Sequence, residues 1–257
     1  MARQQLLFLG MHESRYGGAV DVYISEHGNG KTGRVAGLIV MPAGTTDVRA
    51  NLRQGNDRAN CGGCPMRSKA SGGNGNCYVP HSMIANGVGG LLKGRGVLPV
   101  ASDAQLRAML ADYRILRSAI YGDAAALPVA VWRTIEAACK DVGLPIVGYT
   151  HGASSGVSIG HLTPTHQVSV DGEIPADVGY FRVREYGQPM LQGERMCPSD
   201  PVIGLLGKRG QACNACQACN GFNKIVIHNH DSAGRATMRR ALAAGTLSIS
   251  AVNRKAA

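Results

Sequence analysis

Seven of the eight cysteines fall into two groups with metal-ligand spacing. The first is Cys61-Gly62-Gly63-Cys64, followed after twelve residues by Cys77-Tyr78. The second is Cys197 with Cys213, Cys216 and Cys219, the last three at every third position. A tight turn brings Cys-x2-Cys sulfurs to the same side, where they meet on one ion or one cluster corner. Runs of Cys-x2-Cys-x2-Cys typify iron–sulfur ligation, and four thiolates equally suit structural zinc. The second group is thus expected to be a complete four-thiolate centre. The first has three thiolates, which leaves one coordination position open to a substrate or cofactor; its sulfurs are expected within about 4 Å of one another. His81, four residues after Cys77, is the candidate for a fourth protein ligand.

Two short polar segments carry the other candidates. Tyr121-Gly122-Asp123 and Thr150-His151-Gly152 each directly follow an expected strand. Asp123 is a candidate general base or amine-binding group, with loop capping as the alternative, and His151 is its candidate catalytic companion. Tyr121, Gly122, Asp123 and Thr150 form the candidate cofactor-binding set. Gly122 and Gly152 matter where backbone approaches a cofactor closely, since neither carries a side chain. His228 and His230 alternate past a strand, as metal or phosphate ligands or as a polar strand end. Cys139 lies within an apolar helical pattern and is expected as a small core residue. Ser25 to Thr32 nearly spells a phosphate-binding loop, but another strand is expected after Gly33 instead of the helix whose N-terminus would face the phosphates. A glycine-rich turn with Lys31 near its tip is the better account.

The elements that must position these residues alternate strand and helix. Strands are expected at Val20–Ser25, Arg34–Met41, Arg114–Ile120, Pro145–Thr150, Val168–Val170, Tyr180–Arg184 and Lys224–Ile227. Helices are expected around His81–Leu92, at Asp103–Asp112 capped by Ser102, at Pro128–Val142 and at Ser232–Ala244. The order β-α-β-α-β argues for an α/β fold with a parallel sheet, as a partial or full parallel (β/α) barrel. Chemistry in such folds sits at the carboxyl ends of strands. The cysteine loop within 42–80 and the two polar segments would therefore share one rim. The division expected is a barrel-like domain over 1–190 and a Cys-rich metal-binding extension over 191–257.

The chain has 257 residues and can bury a substantial core without disulfide staples. No run approaches the roughly 20 apolar residues of a membrane span, and the opening residues are too briefly apolar for a signal peptide. A reducing cytoplasm is the expected location, where paired cysteines more often bind metal than form disulfides. The formal charge of +10 favours a polyanionic partner, nucleic acid or nucleotide. With only 5% aromatic residues, a stacking platform for long single strands is not indicated.

The order of elements resembles the radical S-adenosylmethionine enzymes. In that superfamily three cysteines after the first barrel strand hold a four-iron cluster, a Gly-Gly-Glu-type motif ends the second strand, and the third often ends in Thr-Asn-Gly. Cys61, Cys64 and Cys77-Tyr78, then Tyr121-Gly122-Asp123, then Thr150-His151-Gly152 stand in that order here. The resemblance, over roughly residues 34 to 185, implies a [4Fe–4S] cluster, S-adenosylmethionine and radical chemistry. The spacing departs from the usual Cys-x3-Cys-x2-Cys, so a different loop would wrap the cluster. Cys197, Cys213, Cys216 and Cys219 resemble the auxiliary-cluster extensions of some members. The chain also resembles a group of uncharacterised bacteriophage proteins through Gly28-Asn29-Gly30-Lys31-Thr32-Gly33, the Cys-Pro and Cys-Tyr loop, the Gly-Asp motif, the Tyr-Thr strand end and the late cysteines. Two readings stay open: an iron–sulfur enzyme modifying nucleic acid or a nucleotide precursor, and a zinc-stabilised, non-enzymatic nucleic-acid-binding protein.

Overall fold

Apolar residues alternate along the first strands, and the antiparallel meander they form opens a nine-stranded sheet. β1 (Leu6–Glu13) pairs with β2 (Ala19–Asn29), and β2 pairs with β3 (Gly33–Pro42). The computed structural model describes residues 6–29, 33–75, 77, 79, 88–90, 92, 98–170, 178–206, 210–229 and 232–247. Tyr78, His81, Lys31, Thr32, His230 and most of the helix expected over 81–92 lie outside them. Asn29 pairs opposite Gly33, so the stretch from Ser25 is strand leading into a hairpin connection, and β3 follows directly. The phosphate-loop mechanism loses the helix it requires.

After β3 come two short helices, α1 (Val48–Gln54) and α2 (Arg58–Cys61). Then α3 (Asp103–Leu110) begins at Ser102, whose hydroxyl accepts from Gln105 N while the Gln105 side chain accepts from Ser102 N. That reciprocal cap satisfies two of the orphan donors of the first turn. β4 (Leu116–Tyr121), α4 (Val129–Asp141), β5 (Ile146–Thr150), β6 (His166–Val170) and β7 (Tyr180–Arg184) follow. The chain continues through β8 (Arg195–Met196), α5 (Pro201–Leu205), α6 (Cys213–Cys216), β9 (Lys224–His228) and α7 (Ser232–Ala243).

The strand order is β1-β2-β3-β4-β5-β6-β7-β9-β8, and every pairing from β3 onward is parallel. The chain is thus mixed α/β. Its first two pairings are antiparallel, against the parallel sheet expected, because connections of a few residues join β1 to β2 and β2 to β3 and are too short for a crossover. Parallel crossovers are almost always right-handed, so the stretch from β3 to β7, whose order does not reverse, throws its successive connections onto one face. The core agrees. Ala36, Leu38 and Val40 of β3, with Leu116 of β4, pack under Leu106 and Leu110 of α3 and Trp132, Ile135 and Ala138 of α4. Cys139 lies in the same cluster, as expected of a small apolar residue. The alternate residues, Val35, Val147, Tyr149, Phe181, Ile225 and Ile227, face the other way, and cysteine-bearing segments cover them there.

Within the helix-covered face, Gly148 of β5 is required by close approach. A Cβ there would lie 1.9 Å from Ser118 Oγ. That hydroxyl stands 2.5 Å from His166 Nε2, beneath the edge of Trp132. Burial drives His166 down to about 3, so the imidazole is neutral and sealed in the core.

The sheet does not stop at residue 190. β7 pairs with β9 from Tyr180–Lys224 to Arg184–His228, so the segment beyond 190 supplies two strands of the same sheet. Its junction is held by polar pairs. Glu194 takes both Arg182 nitrogens at 2.7 Å. His228 accepts from Arg184 at Nε2 and faces Asp200 Oδ1 at 3.0 Å through Nδ1. Both ring nitrogens of His228 are therefore engaged, which accounts for it as a polar strand end. Among the described residues no helix is long and apolar enough to cross a membrane.

Candidate functional site

The first cysteine loop is built from its glycines and one buried carboxylate. Cys61 ends α2, and Cys64 N closes a turn on Cys61 O at 3.0 Å. Gly62 has φ of 56°, and a Cβ there would meet Ser155 Oγ at 2.4 Å. At Gly63 a Cβ would meet Ser154 O at 2.6 Å, while Gly63 N donates to Ser155 Oγ at 2.6 Å. The Cys-Gly-Gly-Cys turn thus lies directly on the segment after β5. Asp57, 1% exposed, holds the far side of the loop by accepting from Ser68 N and Ser68 Oγ, both at 2.7 Å. Arg67 ties the loop to itself through Cys64 O at 2.8 Å and Ser71 O at 3.0 Å.

These contacts bring three separate stretches around one cleft of about 610 Å³, counted to its open mouth. Cys61, Cys64 and Cys77 line it together with Tyr121, Gly122, Asp123 and His151. The expectation that the cysteine loop shares a rim with the ends of β4 and β5 is met in that sense. Thr150 stands behind the wall. Its hydroxyl donates to Asp123 Oδ1 at 2.7 Å and accepts from Gly152 N at 2.9 Å.

Asp123 is more occupied than its sequence position suggests. Oδ1 also accepts from Ala125 N at 2.9 Å, capping the 3-10 turn Ala124–Ala126, and Oδ2 accepts from His151 N at 2.7 Å. Capping, one of the two alternatives, is what the carboxylate does; it splices the ends of β4 and β5. Gly122 and Gly152 likewise have reasons within the protein. With φ of 77°, Gly122 approaches Val40 O, which a Cβ would meet at 2.4 Å, and a Cβ on Gly152 would meet Ile159 at 2.4 Å. Close approach to backbone at Gly122 and to side chains at Gly152 accounts for both glycines.

The charge balance inside the cleft is unusual. Burial pushes the Cys61 thiol well up, and the neighbouring Cys77, Cys64, Asp57 and Asp123 push it further. Burial also raises Cys77 and, with Cys61 and Asp57 adding to it, the Tyr121 hydroxyl. Arg67 is the cation in the cleft wall. Crowded thiols and carboxylates with so little opposing charge are the donor set that a metal or cluster would convert to thiolates, since a bound cation inverts the local pKa order. The donor chemistry therefore fits a three-thiolate centre. Among the described residues no three His, Cys, Asp or Glu side chains already stand in ligand geometry.

The second group surrounds another, smaller cavity on the same face, lined by Cys197, Cys213, Cys216 and Cys219. α6 packs against β3, and Gly148 N donates to Cys219 O at 2.9 Å, so this segment is laid across the amino ends of β3 to β5. Burial is the largest influence on Cys219, pushed up to about 12 with Cys197, Cys213 and Cys216 adding to it and Arg117 opposing it. Arg117, 8% exposed on β4, donates from Nη1 to Cys213 Sγ at 3.4 Å. Four sulfurs with one guanidinium fit a four-thiolate centre held by Cys197, Cys213, Cys216 and Cys219.

The two cavities lie at opposite ends of the same strands. Val147 lines the second and Tyr149 the first, two residues along β5, or about 7 Å of strand rise. Tyr149 is stacked on Phe181 at 4.5 Å with the Arg117 guanidinium 5.7 Å from its ring centre. Asp57, Arg67, Tyr149 and Arg117 were not among the expected site residues. Arg117 carried a signal, as a charge inside the otherwise apolar strand Leu116–Tyr121. Asp57, four residues before Cys61, was legible only as a turn residue.

Fold and site together define an α/β protein with two cysteine-lined cavities on one face of a mixed sheet that is parallel from β3 onward. Against protein-family models, curated proteins and solved structures, the chain finds no match.

Because Gly63 sits against backbone, Gly63→Ala is expected to destabilise by about 2 kcal/mol, as overpacking does. Thermal unfolding should show the loss. Wild-type stability for the alanine variant would detach the turn from Ser154.

Proposed function

We propose that this protein is an iron–sulfur enzyme of radical S-adenosylmethionine type that modifies nucleic acid or a nucleotide. The observation that carries the reading is the single cleft shared by Cys61, Cys64, Cys77 and the ends of β4 and β5. A run of parallel strands in sequential order from β3 to β7, curling as a partial barrel, would concentrate those loops at one rim. Cys61, Cys64 and Cys77 would hold the cluster and leave one position open. Such a cluster with S-adenosylmethionine supplies a carbon-centred radical by one-electron reduction. The chain contributes the enclosure: Tyr121 and Tyr149 wall the cleft, and Asp57 and Asp123 fix the loops that close it. Cys197, Cys213, Cys216 and Cys219 would hold a second centre that is structural or electron-transferring.

Anaerobic purification followed by iron, sulfide and zinc analysis tests the reading. Iron with equimolar acid-labile sulfide, and a cluster spectrum that changes when S-adenosylmethionine is added, is the expected result. A colourless protein with stoichiometric zinc and no sulfide overturns it in favour of a zinc-stabilised nucleic-acid-binding protein.

A further inference from the structure

The segment that forms one wall of the cleft carries a row of cations that no carboxylate among the described residues neutralises. Arg49 and Arg53 on α1, Arg58 on α2 and Lys69 in the following 3-10 turn are all exposed. The exposed ion pairs Arg34–Glu26, Arg107–Asp141 and Arg133–Glu136 all lie on other elements. Among the described residues none of the four cations has a carboxylate partner. Nearby, Asp57 is buried and taken by Ser68, and Asp47 caps α1.

This basic row is continuous with the cleft. Leu52 of α1, Asp57 and Cys61 of α2, and Met66 and Arg67 beyond line the interior, while Arg49, Arg53, Arg58 and Lys69 project from the same stretch. Arg49 and Arg53 stand one turn apart, about 6 Å along the helix. α1 packs against the turn bearing Lys69. A single phosphate cannot engage cations spread over three elements. A nucleic-acid strand, with one charge per roughly 3.4 Å of rise, can. The cleft is walled by Tyr121, Tyr149, Leu52 and Met66, apolar and aromatic surfaces of the kind that line sites for planar groups. Enzymes acting on a base bring it out of the stack into such a pocket.

We propose that Arg49, Arg53, Arg58 and Lys69 form a phosphate-binding rim that lays a single nucleic-acid strand across the cleft mouth, with one unstacked base entering between Leu52 and Tyr149. This rests on the reading above only in taking the cleft as the reaction site; it selects a polymer over a free nucleotide.

The test is fluorescence anisotropy of the holoprotein with labelled 12-residue DNA and RNA strands across a salt series, with a mononucleotide as competitor. Arg49→Gln/Arg53→Gln and Arg58→Gln/Lys69→Gln are each expected to weaken strand binding at least tenfold at low salt. Each should reduce the slope of log affinity against log salt by about 1.4, two single-strand contacts at ~0.7 each. Lys140→Gln/Arg239→Gln removes equal charge from α4 and α7 and should change neither. Leu52→Trp, which fills the cleft, should keep the salt slope while abolishing the fluorescence change of a 2-aminopurine placed within the strand. Equal losses in the Lys140/Arg239 control, absence of strand binding at low salt, or full competition by an equimolar mononucleotide overturns the proposal. Preference for the DNA or the RNA strand assigns the polymer and supports it in either case. The two readings fail separately: zinc content with rim-dependent binding removes the radical enzyme alone, and an iron–sulfur protein that ignores strands removes the rim alone.

Discussion

Asp123→Ala is expected to destabilise the protein by about 4 kcal/mol, among the largest effects of any single polar substitution in this chain. The carboxylate accepts from Ala125 N, Thr150 Oγ1 and His151 N, and it is 4% exposed. Removing it strands three donors, and each lost bond to a buried charge costs roughly 1.5–3 kcal/mol with imperfect additivity. Asp123→Asn should cost about 2 kcal/mol, since its amide must turn one N–H toward a donor. Urea unfolding with an unchanged m-value measures both. If the asparagine variant keeps full stability and loses only function, the carboxylate has a chemical role beyond splicing β4 to β5. The same substitution would also be felt in the cleft, because His151 is carried on the backbone that Asp123 holds.

That prediction reverses the weight a sequence places on such a residue. Asp123 follows an expected strand and precedes small residues, which is the pattern of a reactive rim group and equally that of a cap. Sequence cannot separate the two, because the donors that settle it, Thr150 and His151, lie 27 and 28 residues away. Elements with strong local signals were legible. The helix expected over Pro128–Val142 occupies Val129–Asp141, and its apolar face is the one that buries Trp132, Ile135 and Ala138. The strand Tyr180–Arg184 was placed to the residue. The grouping of cysteines into two sets was legible too, since thiol spacing is local. What escaped was non-local. β1 has few periodic cues of its own and is defined by pairing with β2. The pairing of β9 with β7 joins residues more than forty positions apart, which made the last third resemble an appendage. Gly62 and Gly63 read as a generic turn, whereas their requirement comes from Ser154 and Ser155 more than ninety residues on.

The second large effect separates the two cysteine sites. Cys216→Ala is expected to remove the metal of the carboxyl-terminal centre and lower the melting temperature by about 10 °C, as ~3–5 kcal/mol does in a chain of this size. Among the described residues few polar contacts hold that segment to the sheet. Arg117 reaches Cys213, Cys219 O takes Gly148 N, and Asn223 Nδ2 donates to Ala218 O at 3.0 Å. Binding energy at such a site is folding energy, because the unfolded chain has no preformed ligand set. Cys64→Ala should remove the metal of the first centre and shift melting far less. The loop there keeps Asp57 on Ser68, Arg67 on Ser71 and Gly63 on Ser155 without any sulfur. Metal content per chain, measured beside calorimetry on both variants, reads the two effects together. Loss of all metal from either variant would merge the cavities into one shared site, and full metal retention in Cys216→Ala would leave the carboxyl-terminal cysteines as packing. The separation expected follows from the strands themselves. Val147 walls the second cavity and Tyr149 the first, about 7 Å apart along β5, and each cysteine group lies in its own lining.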